Sequence, residues 1–400
     1  GFTTLTSPHF RLRMGANEAR IYGDRALALL ERAREKLTTK YGLTLTEPTT
    51  VEIYPNPKDF AVRTFGMPDR PGYLGVCFGS VITANSPATQ RANWESVLWH
   101  EFCHVVTLTM TRNRMPRWLS EGISVYEERQ QNPAWGQLMS LHARDRIVEG
   151  KMLPLNRMSS AFLEAKDSKD LMFAYYHSSL VIEFLVEQHG LEKIKAVLRA
   201  LGAGIAANVA LERTFGPLDD LDARFTRFAQ DKAKNLGGGF DLSRNENSGL
   251  AALYVQLNPR NFHVRLQEAQ KLAAEKNWDA AKKVLIELTA GGAYLPGEHN
   301  AHTLLAKVCA ALNDTAGERE ALLTIASREG DALDAVTRLL ALAEAEKNWN
   351  ETIRWAEAWL AINPLAPTPW RSLLTAHEAI ANVETIAAGT VAATDRAPSK

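Results

Sequence analysis

The stretch VLWHEFCHVV, residues 97–106, decides the fold of this chain. It lies in a segment, residues 94–110, whose apolar side chains recur on almost every face of a predicted helix, and such a helix usually lies inside a protein. His100 and His104 are four residues apart, so a helix projects both imidazoles from one face. Burying two histidines and Glu101 is costly unless they are paired or bind a metal ion. The stretch therefore predicts an interior metal site.

A second stretch, MPRWLSEG at residues 115–122, offers a third ligand. Sixteen residues separate His104 from Glu121, which is enough to end one helix, turn, and begin another at Pro116. Two histidines and one glutamate leave a fourth metal position open for water, as a catalytic zinc site requires. Glu101 lies beside these ligands, where a carboxylate can take a proton from water that the metal activates.

Together the two stretches resemble the gluzincin peptidase MA-like family, which reads HExxH and then P-x-W-(L)-x-E-G. The resemblance covers approximately residues 45–235. It implies a zincin-like fold, a Zn²⁺ ion and hydrolysis of peptide bonds. In this family's pattern His100, His104 and Glu121 hold the metal, and Glu101 is the general base.

Two positions depart from the pattern of the family. Ser124 stands where the family often has alanine, which is a small change. Thermolysin-like members carry an aspartate four residues after the third ligand, and it orients a zinc-bound histidine. Val125 occupies that position, so the group that orients the histidine must come from elsewhere.

A further stretch, AYYHSSLV at residues 174–181, also fits the family. A phenol near the metal can donate a hydrogen bond to the oxyanion of the tetrahedral intermediate. We prefer Tyr175 for this catalytic role, with Tyr176 and His177 as the other candidates. Packing or capping of a helix explains these residues equally well.

Residues 72–85, GYLGVCFGSVITA and the asparagine that follows, have two interpretations. They form either the edge strand along which an extended substrate is laid or an ordinary core strand. His142 and His189 are isolated in the sequence, and a lone histidine is more often structural than a ligand.

The elements predicted around these motifs indicate an α+β domain. A helix is expected over residues 19–42 and a strand over 50–54, before one or two strands in 72–84. Further helices are expected at 116–130, 137–149, 160–166, 171–190, 191–201 and 218–234.

After residue 249 the chain is expected to be helical throughout. KNWDAA at residues 276–281 and KNWNET at 347–352 lie 71 residues apart, about twice the tetratricopeptide period, with a weaker copy near Asn313. This resembles tetratricopeptide repeats, and a plain helical bundle is the alternative. The predicted order is a metallopeptidase domain (1–235), a Gly-, Ser- and Asn-rich linker (236–249), helical repeats (250–390) and a tail (391–400).

Composition narrows the class of protein. Lys+Arg and Asp+Glu both number 46, so the net charge is zero and the basic excess of a nucleic-acid binder is missing. No run of 18 apolar residues predicts a transmembrane segment. The 3 cysteines do not form a disulfide framework. The few cysteines fit a reducing compartment and fit equally an exported protein that does without disulfides, and we expect an exported, periplasmic or extracellular protein.

Two functions from different classes follow. The first is a zinc peptidase that acts on a peptide or protein substrate, with the repeats contacting the substrate or a protein partner. The second is a catalytically silent scaffold that acts through its repeats. Glu101 favours the enzyme, because metal binding alone would need only His100, His104 and Glu121. The sequence lacks a GxMxN-like exopeptidase motif, which weakly disfavours an aminopeptidase.

Overall fold

The computed structural model describes residues 1–67, 72–89, 92–243 and 258–394, with side chains up to residue 382. It contains an α+β N-terminal half (residues 1–243) and a helical half (residues 258–394), as the sequence predicts. Of the predicted linker, residues 244–249 lie outside the described residues, as do 250–257 of the repeat region and 395–400 of the tail.

The N-terminal half contains a mixed sheet with strand order β1-β2-β3-β5-β4. Its strands are β1 (Phe2–Thr6), β2 (Phe10–Gly15), β3 (Thr49–Tyr54), β4 (Gly75–Phe78) and β5 (Val81–Asn85). The central strands β2, β3 and β5 run parallel, and β1 and β4 pair antiparallel at the two edges. The strand β4 is therefore at an edge of the sheet, which agrees with the first of the two interpretations of residues 72–85.

The helices of the N-terminal half cover this sheet and pack on one another. They are α1 (Ala16–Glu18), α2 (Asp24–Tyr41), α3 (Pro57–Phe65), α4 (Trp94–Thr111), α5 (Arg117–Gln131), α6 (Leu141–Val148), α7 (Ser168–His189), α8 (Leu191–Gly202), α9 (Ala207–Phe215) and α10 (Leu218–Asn235). A π-helical turn, Ala19–Gly23, joins α1 to α2. The predicted helix 19–42 is confirmed, and it ends at Gly42 in the left-handed conformation.

Helix α4, which carries the HExxH residues, is the central helix of this half. It begins where the Asn93 side chain accepts a hydrogen bond from the Ser96 backbone N–H at 3.1 Å. Phe102 on its buried face packs against Phe10 of β2 with ring centroids 5.4 Å apart. Helices α2, α5 and α8 contact its other sides. This surrounding packing explains why apolar residues occur on almost every face of the helix.

Helix α5 begins directly after Pro116 and lies across α4 and α7. Gly122 allows the close contact with α7, because a Cβ atom at this position would lie 2.6 Å from the backbone oxygen of Ser178. No larger residue fits there without moving one of the two helices. The glycine of the MPRWLSEG stretch therefore brings the helix that carries Glu121 against the helix that carries Tyr175.

The structure corrects three expectations in this half. Strands β1 and β2 are present although the sequence reading placed no strand before residue 50. The segment predicted as a helix at 160–166 consists of turns after a short 3₁₀ helix, Leu155–Ser160. Its Leu163 is 87% exposed, so the segment has no apolar stripe to bury as a helix. Helix α9 was not expected at all.

The helical half consists of helices that pack successively along the chain. They are α11 (Phe262–Ala274), α12 (Trp278–Ala290), α13 (Ala301–Ala311), α14 (Thr315–Ala326), α15 (Leu333–Ala345), α16 (Trp349–Leu360) and α17 (Pro367–Thr394). Lys276, Asn313 and Lys347 each adopt a left-handed backbone conformation in the turn inside a helix pair. These turns lie 37 and 34 residues apart, at the repeat positions that the sequence indicates.

Two hydrophobic clusters, one mainly in each half, form the core of the chain. Direct hydrogen bonds join the halves at the start of α4. The Trp94 indole N–H donates to Leu360 O at 2.8 Å, and the Trp94 backbone N–H donates to Ala361 O at 3.0 Å. Arg25 binds Glu357 of the helical half by its guanidinium. The first residue of α4 is thus anchored to the helical half, while the boundary at 236–249 stays a prediction.

Candidate metal centre

Helix α4 holds the two histidines one turn apart with their outer nitrogens facing each other. The Nε2 atoms of His100 and His104 are 3.1 Å apart, and the ring planes meet at 81°. Helix α5 brings Glu121 to the same point, with Oε2 at 3.2 Å from each Nε2 atom. The sequence predicts these three side chains as ligands, and the structure brings them together.

The spacing of these three atoms is close to, and slightly shorter than, the spacing of zinc ligands. Two bonds of about 2.0–2.2 Å that meet at a tetrahedral angle place the ligand atoms about 3.3–3.6 Å apart. The observed edges of 3.1, 3.2 and 3.2 Å are close to that triangle. Imidazole nitrogen and carboxylate oxygen are also ligand types that zinc accepts. The residues present therefore fit the metal that the family resemblance implies.

Hydrogen bonds and neighbouring charges shift the pKa values of His100 and Glu121 in opposite directions. Burial alone would lower the pKa of His100, but hydrogen bonds to Glu121 and Glu128 raise that pKa well above its usual value. Burial alone would raise the pKa of Glu121, but the charge on His104 and the hydrogen bonds with both histidines hold that pKa well below its usual range. The metal-free site therefore favours a cationic His100 beside an anionic Glu121.

The inner nitrogen of each histidine is bound by a residue of α5. Glu128 Oε1 accepts a hydrogen bond from His100 Nδ1 at 2.6 Å, and its Oε2 accepts one from the Ser96 hydroxyl. His104 Nδ1 lies 2.8 Å from Ser120 Oγ and 3.2 Å from Ser124 Oγ. When His100 is neutral and donates its Nδ1–H to Glu128, its Nε2 lone pair points to the ligand triangle.

Glu128 orients one histidine of the cluster, a role that the sequence could not assign to Val125. The glutamate lies seven residues after Glu121, which is two helical turns, so both carboxylates project from one face of α5. That spacing was the available signal. Ser124, the other departure from the family pattern, contributes a hydroxyl near His104 that alanine would lack.

Glu101 lies next to the ligand triangle but is not one of its corners. Its side chain is buried, and its Oε2 atom has no hydrogen-bond partner among the described residues. A Cβ atom at Gly75 of β4 would come within 2.8 Å of Glu101 Oε1, so glycine at 75 leaves the room that the carboxylate occupies. Burial raises the pKa of Glu101, and the charges of His100 and His104 oppose the rise. An unpaired buried carboxylate of this kind suits proton transfer.

The cluster opens into a cleft of about 400 Å³. The cleft is bounded by residues 72–75 leading into β4, by α4, by residues 134–137 after α5, by α7, and by Gly330 and Asp331 of the helical half. His100 and Glu101 both line it, so a bound molecule would reach the metal centre directly. Concave sites of this size are typical of ligand-binding pockets.

Tyr175 is the only one of the three oxyanion candidates that lines the cleft. Its hydroxyl lies 3.3 Å from Arg117 Nη2, and Arg117 Nε lies 3.2 Å from Glu121 Oε1. The Arg117 guanidinium also stacks over the Phe162 ring at 4.5 Å. Burial raises the pKa of Tyr175 and the charge of Glu121 adds to the rise, so the phenol stays protonated at neutral pH.

The other candidates lie away from the metal centre. His177 is stacked between the rings of Phe173 and Phe225, and burial lowers its pKa to about 3, so it is a neutral core residue. Tyr176 is buried on the side of α7 near Glu183. His142 faces Asp170 at 3.7 Å. Across the residues that the structure describes, only His100, His104 and Glu121 gather as a group able to hold a metal.

The cysteines contribute no ligand to the site. Cys77, Cys103 and Cys309 are all free thiols. Cys103 lies fully buried in the core, and burial raises its pKa above the usual range. No helix in the described part of the chain is long and apolar enough to cross a membrane.

Fold and site together define a mixed α/β protein with a buried His-His-Glu cluster and a neighbouring carboxylate. The model of the Peptidase MA superfamily matches residues 30–230, about half of the chain. The chain belongs to the Peptidase MA superfamily and is a protein of the metallopeptidase type.

No curated protein matches the chain. Among solved structures, native yeast LTA4 hydrolase is similar at 13% sequence identity and a TM-score of 0.36, with 96% of this chain and 63% of that chain covered. Yeast LTA4 hydrolase in complex with Bestatin is similar at 13% identity and a TM-score of 0.32, with 94% and 64% covered. The chain thus spans less than two thirds of the length of these two proteins.

Proposed function

We propose that this chain is a gluzincin-like zinc peptidase that hydrolyses peptide bonds. The observation that carries the proposal is the triangle of His100 Nε2, His104 Nε2 and Glu121 Oε2, with the unpaired carboxylate of Glu101 beside it at the cleft. When bound, a zinc ion supplies a Lewis acid that lowers the pKa of water and polarises a carbonyl group.

Glu101 is the general base in this proposal. Its Oε2 atom accepts the proton of the attacking water and then delivers it to the amine that leaves. The raised pKa of Glu101 makes the carboxylate more basic than an exposed glutamate. No described side chain competes for Oε2, so the atom is available for that proton.

Tyr175 and Arg117 complete the catalytic arrangement. The phenol donates a hydrogen bond to the oxyanion that forms on the substrate carbonyl. Arg117 contacts both the Tyr175 hydroxyl and Glu121, and so it positions the phenol relative to a metal ligand. The ring of Phe162 under the guanidinium limits the movement of Arg117.

The substrate backbone is proposed to lie along residues 72–78. Strand β4 is an edge strand, and Gly72, Tyr73, Leu74 and Gly75 line the cleft beside Glu101. A peptide that pairs with this edge would run past the metal centre in extended form. The helical half is proposed to be a set of tetratricopeptide repeats that contact substrate or partner, supported by the left-handed turns at Lys276, Asn313 and Lys347.

A peptide-library digest tests the proposal. The purified chain is analysed for metal and incubated with a mixed peptide library before and after removal of the metal by a chelator. We expect near-stoichiometric zinc, cleavage of a subset of peptides, loss of cleavage on chelation, and recovery when zinc is restored. A zinc-loaded protein that cleaves no peptide would instead favour the silent scaffold.

A further inference from the structure

The helical half supplies one wall of the catalytic cleft. Gly330 and Asp331, in the turn between α14 and α15, line the cleft together with Trp135 of the N-terminal half. The Gly330 backbone N–H donates to Ala134 O at 2.8 Å, and its carbonyl oxygen accepts from Asn93 Nδ2 at 2.8 Å. The turn is thereby fixed at the cleft by two hydrogen bonds to the N-terminal half.

The fit of this turn requires glycine at position 330. A Cβ atom there would lie 2.9 Å from Cδ1 of Trp135 and 3.1 Å from Ala134 O. Glu329, which precedes Gly330, is fixed by the helical half, because its carboxylate accepts hydrogen bonds from Tyr294 and Asn300. Asp331, the next residue, therefore has a fixed place at the rim of the cleft.

Apart from the histidine of the metal centre, the charged side chains that line the cleft are acidic. The side chains that line it include the carboxylates of Glu101, Glu128 and Asp331, and none of the lining residues in the described part of the chain is lysine or arginine. Glu128 is paired with His100 and Ser96 and belongs to the metal centre. Asp331 is exposed and forms no ion pair with a described residue. A cationic group of a bound molecule would be its first partner.

We propose that Asp331 is a specificity-determining residue which selects peptides that carry a cationic group near the scissile bond. This proposal rests on the proposed peptidase function, because it assigns a substrate class to the same cleft. The cation is either a lysine or arginine side chain or the free amino terminus of the peptide. Both would pair with the carboxylate in the same way, and the experiment below separates them.

The magnitude follows from the exposure of the pair. An exposed ion pair changes an equilibrium by about fivefold at most, and partial exclusion of water in the cleft raises that toward tenfold. We therefore expect a cationic peptide to bind about five- to tenfold more tightly than a neutral peptide of the same shape. The advantage should shrink as salt concentration rises.

Binding is measured on the zinc-loaded Glu101→Gln protein, which holds peptides without cleaving them. Dye-labelled peptides that differ only in lysine or norleucine at one position are titrated and followed by fluorescence anisotropy. One series has an acetylated amino terminus, and one norleucine peptide has a free amino terminus. Asp331→Asn is compared with the matched control Asp334→Asn, which removes the same charge from an exposed residue outside the cleft.

In the Glu101→Gln reference protein and in its Asp334→Asn variant, we expect the Kd of the cationic peptide to be five- to tenfold lower than that of the neutral peptide. In the Asp331→Asn variant we expect this difference in Kd to fall below twofold. The Kd of the neutral acetylated peptide should stay within twofold in all three proteins. An advantage confined to the free amino terminus would identify that group as the cation. An advantage that survives in Asp331→Asn, or none in the reference, would overturn the proposal.

The same peptides given to the protein with Glu101 intact separate the two proposals. If the cationic peptides bind selectively but none is hydrolysed, the peptidase function is wrong and the specificity of the cleft stands. If peptides are hydrolysed with equal kcat/KM irrespective of charge, the peptidase function stands and the role of Asp331 is wrong.

Discussion

Replacing Glu128 tests how the metal centre is organised. The Glu128 carboxylate accepts the His100 Nδ1–H at 2.6 Å and the Ser96 hydroxyl, and so it fixes both the tautomer and the orientation of that ring. Loss of such an outer partner typically weakens metal binding by about 10–100-fold, or about 1.4–2.7 kcal/mol. Glu128→Gln keeps one carbonyl oxygen for His100 but removes the charge, so we expect the lower part of that range.

Glu128→Ala removes both acceptors, and we expect a loss near 100-fold. The zinc Kd is measured at neutral pH by competition with a chromophoric chelator. The matched control is Glu127→Gln, which removes the same charge one residue earlier. Glu127 binds Lys40 Nζ at 2.6 Å and the Tyr41 hydroxyl at 2.8 Å, away from the ligands, so this change should alter the zinc Kd less than threefold. Equal zinc affinity in Glu128→Ala and Glu127→Gln would refute the assigned role of Glu128.

Three further predictions concern the ligands and the helix that carries Glu121. His104→Ala should lose the zinc found in the wild type, and full retention by elemental analysis would sink the ligand assignment. The raised pKa of His100 keeps that ring protonated in the metal-free protein, so zinc binding at pH 7 should release about one proton and should weaken as pH falls. Calorimetry in buffers of different ionisation enthalpy measures the number of protons released. A release of zero protons would contradict the prediction. Gly122→Ala places a Cβ atom 2.6 Å from Ser178 O, and the overpacking should cost about 1–3 kcal/mol, partly offset by about 1 kcal/mol of helix propensity. We therefore expect a lower midpoint of urea unfolding. An unchanged midpoint would show that the two helices are not held this closely.

Sequence reasoning grouped His100, His104 and Glu121 because local geometry determines most of their arrangement. His100 and His104 are one helical turn apart, and that spacing alone places both imidazoles on one face. Glu121 required only a turn between two predicted helices. The starts of α4 and α5 also followed from local patterns, with Pro116 marking the second, whereas the sequence left the edge position of β4 as one of two interpretations.

The features that sequence reasoning missed depend on other parts of the chain, with two exceptions. Strand β2 alternates buried and exposed residues from Phe10 to Met14, so a period-two signal was present in the sequence. Glu128 also had a signal in its spacing from Glu121, two helical turns earlier on the same face of α5. The position of Asp331 had none, because it depends on the hydrogen bond of Gly330 to Asn93 across 237 residues.

The wall formed by Gly330 and Asp331 also changes what is expected of a shortened chain. Residues 1–235 contain every proposed ligand, and we therefore still predict that this fragment binds zinc. The fragment lacks Gly330 and Asp331, and it leaves the bonds that Trp94 makes to the helical half without partners. We therefore expect cleavage of short peptides by the fragment to lose its preference for cationic groups.

The most direct test of the central claim compares the wild type with Glu101→Gln at equal zinc occupancy. Glu101 is not one of the three ligand corners, so the substitution should leave one zinc ion per chain. The amide cannot accept the proton of the attacking water, and kcat on a cleaved peptide should fall by about 10²–10⁴-fold or more. Equal rates of peptide hydrolysis in the two zinc-loaded proteins would contradict the account.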